Sequence, residues 1–152
     1  MRRVTDMDAP LGRAVGNFVE VRESIDCLRG GGPPDLVSLT IRLGAWMLVQ
    51  GGLESSLEAA EARCRKALRD GSAWQRFLMN VEIQGGDVEV CLHPERGPRG
   101  AVTRALRADR AGVVRSLEAR KIGVAALLLG AGRERAEDRV LPEAGIELLR
   151  RP

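Results

Sequence analysis

Glu20 and Glu23 are the nearest approach in this sequence to a catalytic carboxylate pair. Carboxylates three residues apart on a helix are neighbours on one face, which general acid–base work can use. The same spacing serves a solvated face paired with Arg13 or Arg22, and spacing alone favours that reading. His93 is the sole histidine. That excludes every multi-histidine metal site and rests any histidine-based triad on one residue in a proline-flanked stretch. No serine or cysteine stands in a recognisable nucleophile context to partner it. Cys27, Cys64 and Cys91 are odd in number and far apart. They read as packing thiols of a reducing compartment, not as a disulfide framework. Gly30-Gly31-Gly32-Pro33-Pro34 lacks the Lys-Ser/Thr of a phosphate loop. Gly130-Ala131-Gly132 contains G-x-G, but it follows a helical pattern where the phosphate fingerprint follows a strand. Both glycine clusters read as helix stops.

The elements that must position these groups come from a chain of 152 residues, 44% hydrophobic and 30% charged. That is one ordinary domain, or one domain and part of another, with enough apolar surface for a core. No apolar run reaches bilayer-spanning length, and Met1-Arg2-Arg3 is not followed by the apolar stretch of a secretory signal. The expected location is the cytoplasm, with no membrane partner. Aromatic residues are limited to Phe18, Trp46, Trp74 and Phe77. Stacking platforms for bases are therefore scarce, and a net charge of +3 is too small to argue for nucleic acid. The arginines between Arg96 and Arg120 read as a solvated surface.

Periodicity supplies a coarse map. Residues 1–8 look like the stub of a strand, followed by a turn at Ala9-Pro10-Leu11-Gly12. Asn17 is placed to cap a helix with Phe18, Val21, Ile25 and Leu28 on one stripe. Pro33-Pro34-Asp35 opens a second helix, apolar on most sides and so expected at the centre of a core. Ser55 and Glu58 form a capping box for a third helix, which stops at Gly71. Ser72 and Gln75 form another for a fourth, closed by Gly85-Gly86. Residues 93–100 read as a linker. Beyond them, 102–106 and 112–117 are expected strands, 118–129 a helix, and 144–149 a short strand.

Composition and spacing give no function, but one segment does more. Thr5-Asp6-Met7-Asp8-Ala9-Pro10-Leu11-Gly12-Arg13-Ala14-Val15-Gly16-Asn17, followed by Glu20-Val21-Arg22-Glu23, resembles a signature of the thymidine and pyrimidine-nucleoside phosphorylases. Val19 stands where the family usually has Leu. The resemblance continues through Gly32-Pro33-Pro34-Asp35-Leu36, Leu43-Gly44, Trp74 to Phe77, and Gln84-Gly85-Gly86-Asp87. In the second half, Ala125-Ala126-Leu127-Leu128-Leu129-Gly130-Ala131-Gly132-Arg133 is similar to the family's G-R-A-A-L-x-L-G-A-G-R helix, with Asp138 and Ala144-Gly145-Ile146 in register. The likeness runs along essentially the whole chain.

The resemblance implies reversible phosphorolysis, in which phosphate displaces a pyrimidine base from C1′ of the (deoxy)ribose. It implies a helix-rich α/β fragment: residues 1–92 as the C-terminal part of the phosphorylase α/β domain, 93–100 as a linker, and 101–152 as the start of a small α+β C-terminal domain. A potassium site is implied at the carbonyl oxygens of Leu11 and Ala14 and the carboxylate of Glu23. No catalytic or base-binding residue carries over. The family's K-H-S-T-G-G type phosphate loop, its base-holding Arg, Ser and Lys, and the helical domain of its homodimer contact are all absent here. A G-D-x-V-x-x-G-x-P-L type segment is expected after the last residue. Cut sheets expose edges and apolar faces, so the lone chain is expected to be marginally stable or to self-associate. Monomeric, cooperative and reversible unfolding would contradict that expectation.

Overall fold

A computed structural model describes residues 7–133 and 135–152. The strand stub expected at residues 1–8 lies mostly outside them, and Met7 and Asp8 belong to no element. The element order is β1 (Ala14–Gly16), α1 (Phe18–Leu28), α2 (Pro34–Gln50), α3 (Leu57–Arg69), α4 (Ser72–Ile83), α5 (Val88–Leu92), a 3-10 turn at Pro94–Arg96, α6 (Ala119–Ala126) and β2 (Gly145–Glu147). The protein is helix-rich, with a single two-stranded antiparallel sheet among the described residues. Two compact units divide the chain. One comprises the residues up to Val21 together with Gly97–Pro152, and the other is Arg22–Arg96.

In the Arg22–Arg96 unit, glycine and proline set the helix limits. Pro33 has extended backbone and Pro34 sits in the first turn of α2, where a missing N–H costs nothing. Gly30 and Gly32 take φ of +88° and +82°, which lets the chain reverse between α1 and α2. The α2 helix packs on α3 through the buried Ile41, Ala45 and Ala60. It is not enclosed on most sides as its apolar periphery predicts: Leu43 and Met47 are 52% and 72% exposed. An apolar stripe reports what a helix can bury, and only neighbouring elements decide how much of it is covered. Arg42 of α2 pairs with Glu61 of α3, and Arg63 pairs with Glu54 at 3.0 Å. These partly exposed pairs orient α3 more than they stabilise it.

The caps differ from the expected boxes. Ser56, not Ser55, caps α3 by accepting the Ala59 N–H at 3.2 Å. Ahead of α4 stands Gly71 at φ +77°, and Asp70 accepts the Ser72 N–H at 3.0 Å. The Ser72 hydroxyl and N–H together hold the Asp70 carboxyl below its usual range. A depressed folded-state pKa means this cap is present above the ordinary Asp value and lost as pH falls through the folded one. Amide exchange at Ser72 is therefore expected to accelerate on acidification below about pH 4. In Asp70→Asn that pH step should disappear; an identical step in both proteins would exclude Asp70 as its source.

An α5 helix not foreseen from periodicity is capped by Asp87, whose carboxylate accepts the N–H groups of Glu89 and Val90 at 2.8 and 3.4 Å. Its C-terminal end is closed by Arg29, which donates to the carbonyls of Cys91 and Leu92 at 3.2 and 2.9 Å. The same guanidinium lies 4.6 Å from the Trp74 ring centre, and Trp74 stacks on Phe77 at 5.6 Å. Arg29→Ala should cost about 1–3 kcal/mol, from the lost cation–π contact and charge-assisted hydrogen bonds. The urea midpoint should fall and Trp74 fluorescence should shift. Full stability in Arg29→Ala would show that α5 holds without this clamp.

The other unit joins sequence-distant segments. β1 pairs with β2 in the register Ala14↔Glu147, Val15↔Ile146 and Gly16↔Gly145. Buried Ala14, Phe18, Ala126 and Leu148 make its core. A Cβ at Gly97 would enter the Phe18 ring, so glycine is what lets this chain segment cross there. After α6 the backbone widens into a π-type turn over Leu127–Ala131, where Gly130 takes φ +97°. This supports the reading of Gly130 as a stop. The 144–149 strand is realised as β2. The strands expected at 102–106 and 112–117 are not: neither segment joins a ladder, and residues 98–113 are all exposed. Alternating apolar residues predict a strand only where a partner supplies the other half of the hydrogen bonds.

Candidate functional site

The segment carrying the resemblance is built as a brace. Asp8 C=O accepts the Ala119 N–H at 2.8 Å, Pro10 C=O accepts Arg151 Nη2 at 2.7 Å, and Arg13 C=O accepts the Leu148 N–H at 2.7 Å. Gly12, at φ +69°, turns the chain between them. Phe18 N–H donates to Pro142 C=O at 3.0 Å as α1 begins.

Asn17 does not use its side chain to cap α1. Its amide donates to Ala131 C=O at 2.8 Å and to Leu141 C=O at 3.4 Å, 114 and 124 residues away in sequence. It thereby satisfies a carbonyl at the end of the α6 extension, where helix carbonyls lack partners. Glu20 reaches back instead, accepting the Gly16 N–H at 2.8 Å, a variant of the reciprocal cap. That bond commits Glu20 to the entry of α1, and the acid–base pairing with Glu23 loses one member. Glu23 lies further along α1, on its part within the Arg22–Arg96 unit.

Of the residues implied as cation ligands, Leu11 stands in the bend before β1 and is 44% exposed, and Ala14 begins β1. Because Arg13 bonds to Leu148, the antiparallel alternation turns the Ala14 carbonyl away from β2. Glu23 is partly buried.

The remaining candidates are absorbed by the fold. His93 follows α5, and its Nδ1 lies 3.4 Å from Glu95 in an exposed pair. Glu95 is held below the usual carboxylate range first by its own backbone N–H, then by charge on His93 and Arg96. All three cysteines are free thiols. Burial is the first cause raising each of them, and Glu23 raises Cys27 further. A raised thiol carries less thiolate and is a poor nucleophile. Among the described residues no three His, Cys, Asp or Glu side chains gather as a metal cluster. An open depression of about 720 Å³, bounded by Ser72, Gln75, Arg76, Met79, Glu82 and Val88, holds no convergent catalytic set. None of the described helices is long and apolar enough to cross a membrane. Sequence reasoning missed Asn17 and Arg29 as long-range clamps, since their acceptors are backbone carbonyls with no residue signature. The Asp87-Val88-Glu89 pattern was a legible cap signal.

Comparison with known proteins agrees with the motif. The family model for the pyrimidine nucleoside phosphorylase C-terminal domain matches residues 113–152. A pyrimidine-nucleoside phosphorylase of Staphylococcus haemolyticus (strain JCSC1435) is 42% identical over 148 residues, covering 97% of this chain and 34% of that protein. The pyrimidine-nucleoside phosphorylase of Staphylococcus aureus (strain USA300) is 40% identical over the same shares. The chain thus spans about a third of the length of the curated relatives it matches. The signature around Gly16-Asn17, the glycine stop after α6 and the alignment across both units converge on a likeness to the pyrimidine-nucleoside phosphorylases that runs along nearly the whole chain.

Proposed function

We propose that the chain serves reversible nucleoside phosphorolysis, in which phosphate displaces a pyrimidine base from C1′ to give the base and (deoxy)ribose 1-phosphate. The alignment of 97% of the chain with curated phosphorylases supports this reading. Its part is the end of an α/β domain in residues 1–92 and the beginning of a C-terminal domain in 101–152, joined by 93–100; the family match at 113–152 supports the second assignment. Stabilising phosphate and a leaving base needs positioned cations and N–H donors. The braced motif, the raised thiols and the half-buried His93 supply no such set, so the chain alone is expected to be inactive. Thymidine or uridine with phosphate and the purified chain should release no base above background; clear release would sink this. Co-expression with a separately encoded segment bearing the phosphate loop should restore turnover, and failure of the two to associate would count against a split enzyme. Cytoplasmic nucleoside salvage and a glycosyl-transfer reaction belong to the same proposal, with a separately supplied N-terminal piece or self-association in place of the family's homodimer contact.

Potassium is proposed at the oxygens of Leu11, Ala14 and Glu23. An all-oxygen donor set suits a hard cation, and the carbonyl of Ala14 faces away from the ladder. A higher melting temperature in KCl than in NaCl, abolished in Glu23→Gln, would support it; equal melting in both salts would remove it. The second reading, a non-catalytic interaction module, is favoured by the exposed stretch at residues 98–113.

A further inference from the structure

Asp70-Gly71 is the one place in the sequence where an aspartate or asparagine precedes glycine. Such a dipeptide can close on itself. The Gly71 nitrogen attacks Asp70 Cγ, an N–C bond forms, a carboxyl C–O bond breaks, and water leaves carrying the amide proton. Glycine permits this because no Cβ shields its nitrogen. Water then opens the five-membered ring. Attack at Cγ restores aspartate. Attack at the main-chain carbonyl carbon leaves the backbone running through Cβ and Cγ, one atom longer, as isoaspartate. Nothing but water enters or leaves.

The α3–α4 junction holds the dipeptide away from that geometry. Asp70 closes α3 with ψ at 0°, its N–H donating to Lys66 C=O at 2.9 Å. Ring closure needs Cβ and the Gly71 nitrogen on one side of the Cα–C bond. At this ψ the Gly71 nitrogen eclipses the nitrogen of Asp70 itself, and Cβ lies a third of a turn away. Gly71 is pinned at φ +77°, and its carbonyl accepts the Gln75 N–H at 3.0 Å. The Asp70 carboxylate accepts the Ser72 N–H at 3.0 Å, one residue beyond the nitrogen that would attack it. Ser72 first, then the charges of Lys66 and Arg69 on α3, keep that carboxyl ionised, and an ionised oxygen is a poor leaving group. From α4, Arg76 and Glu82 border the same depression. We propose that Asp70-Gly71 is a latent isoaspartyl site, an intramolecular modification that the Asp70–Ser72 cap latches shut and that acid releases. Once β-linked, the turn is a backbone atom longer and the capping carboxylate is displaced, so the entry of α4 is altered for good. The inference does not depend on phosphorolysis.

The test incubates the full chain at about pH 5, folded and in guanidinium, and follows the isoaspartyl form of the digested peptide carrying Asp70, which separates from its parent at equal mass. Isoaspartate should form at least about tenfold more slowly in the folded chain, because a helix cap must be given up first. Acidification through the folded-state pKa of Asp70, to about pH 3, should narrow that gap while the helical circular dichroism persists. Asp70→Asn keeps the Oδ1 acceptor for Ser72 and removes the titration. Its ring closure expels ammonia at neutral pH, and folding should slow that loss at least about tenfold as well. Equal rates in folded and unfolded chain at about pH 5, or a gap that acid leaves unmoved with the helices intact, would overturn the proposal. If acid melts the helices, the Asp70→Asn comparison decides: slower ammonia loss in the folded chain upholds the latch, and equal loss in both states overturns it.

Discussion

Gly16→Val is expected to dissolve the pairing of β1 with β2. Gly16 sits at φ +146°, which L side chains rarely adopt, and faces Gly145 in the register. A Cβ there would lie 2.6 Å from Ala144 O and 2.6 Å from Gly145 Cα. Both are backbone atoms, which cannot swing aside as a side-chain tip can. Strain at the dihedral and overpacking each cost about 1–3 kcal/mol, so the total is a large share of the roughly 5–15 kcal/mol of a typical domain. The same change disturbs the Gly16 N–H bond to Glu20 at the entry of α1. Hydrogen exchange at Val15 and Ile146 should lose protection, and the urea midpoint should fall. Gly16→Ala should show the same effect, smaller. Unchanged protection at both amides would refute the account.

Ile25→Ala should be the costliest single truncation in the Arg22–Arg96 unit. Ile25 is the largest fully enclosed side chain among the described residues, at 0% exposure. Its removal forfeits transfer energy and leaves a cavity, together about 2–5 kcal/mol, whereas Ile25→Val should cost about 0.5–1.5 kcal/mol. Met47→Ala, at a site 72% exposed, should stay within about 0.5 kcal/mol although the sequence places it on the same kind of apolar stripe. Urea unfolding with unchanged slope would measure all three. If Met47→Ala proved as costly as Ile25→Ala, the exposure assigned to α2 would be wrong.

The first four helices were legible because their signals are local. Apolar residues recur at three and four, and Gly30, Gly51, Gly71 and Gly85 end each run within a few residues of where the periodicity fades. The caps were harder: Ser55 and Ser56 are chemically alike, and the choice depends on which of them takes an extended backbone. The strands expected at 102–106 and 112–117 were misread because alternation describes one strand, while a strand exists only in a ladder. As to the candidate site, the motif that carries the family likeness was visible from its residues, but its use was not. Asn17 looked like a helix cap and is a tether to Ala131; Glu20 looked like half of a carboxylate pair and closes on Gly16.

The sequence by itself determined the course of the first four helices and which family's signature the chain carries, because both are written in neighbouring residues. Only the tertiary structure decided that Gly16 meets Gly145, that Arg29 closes α5 over Trp74, and that Leu43 and Met47 face water while Ile25 does not. Those outcomes turn on partners tens to more than a hundred residues away. Which partner arrives is settled by the free energy of packing the whole chain, not by the pattern at either end of the contact.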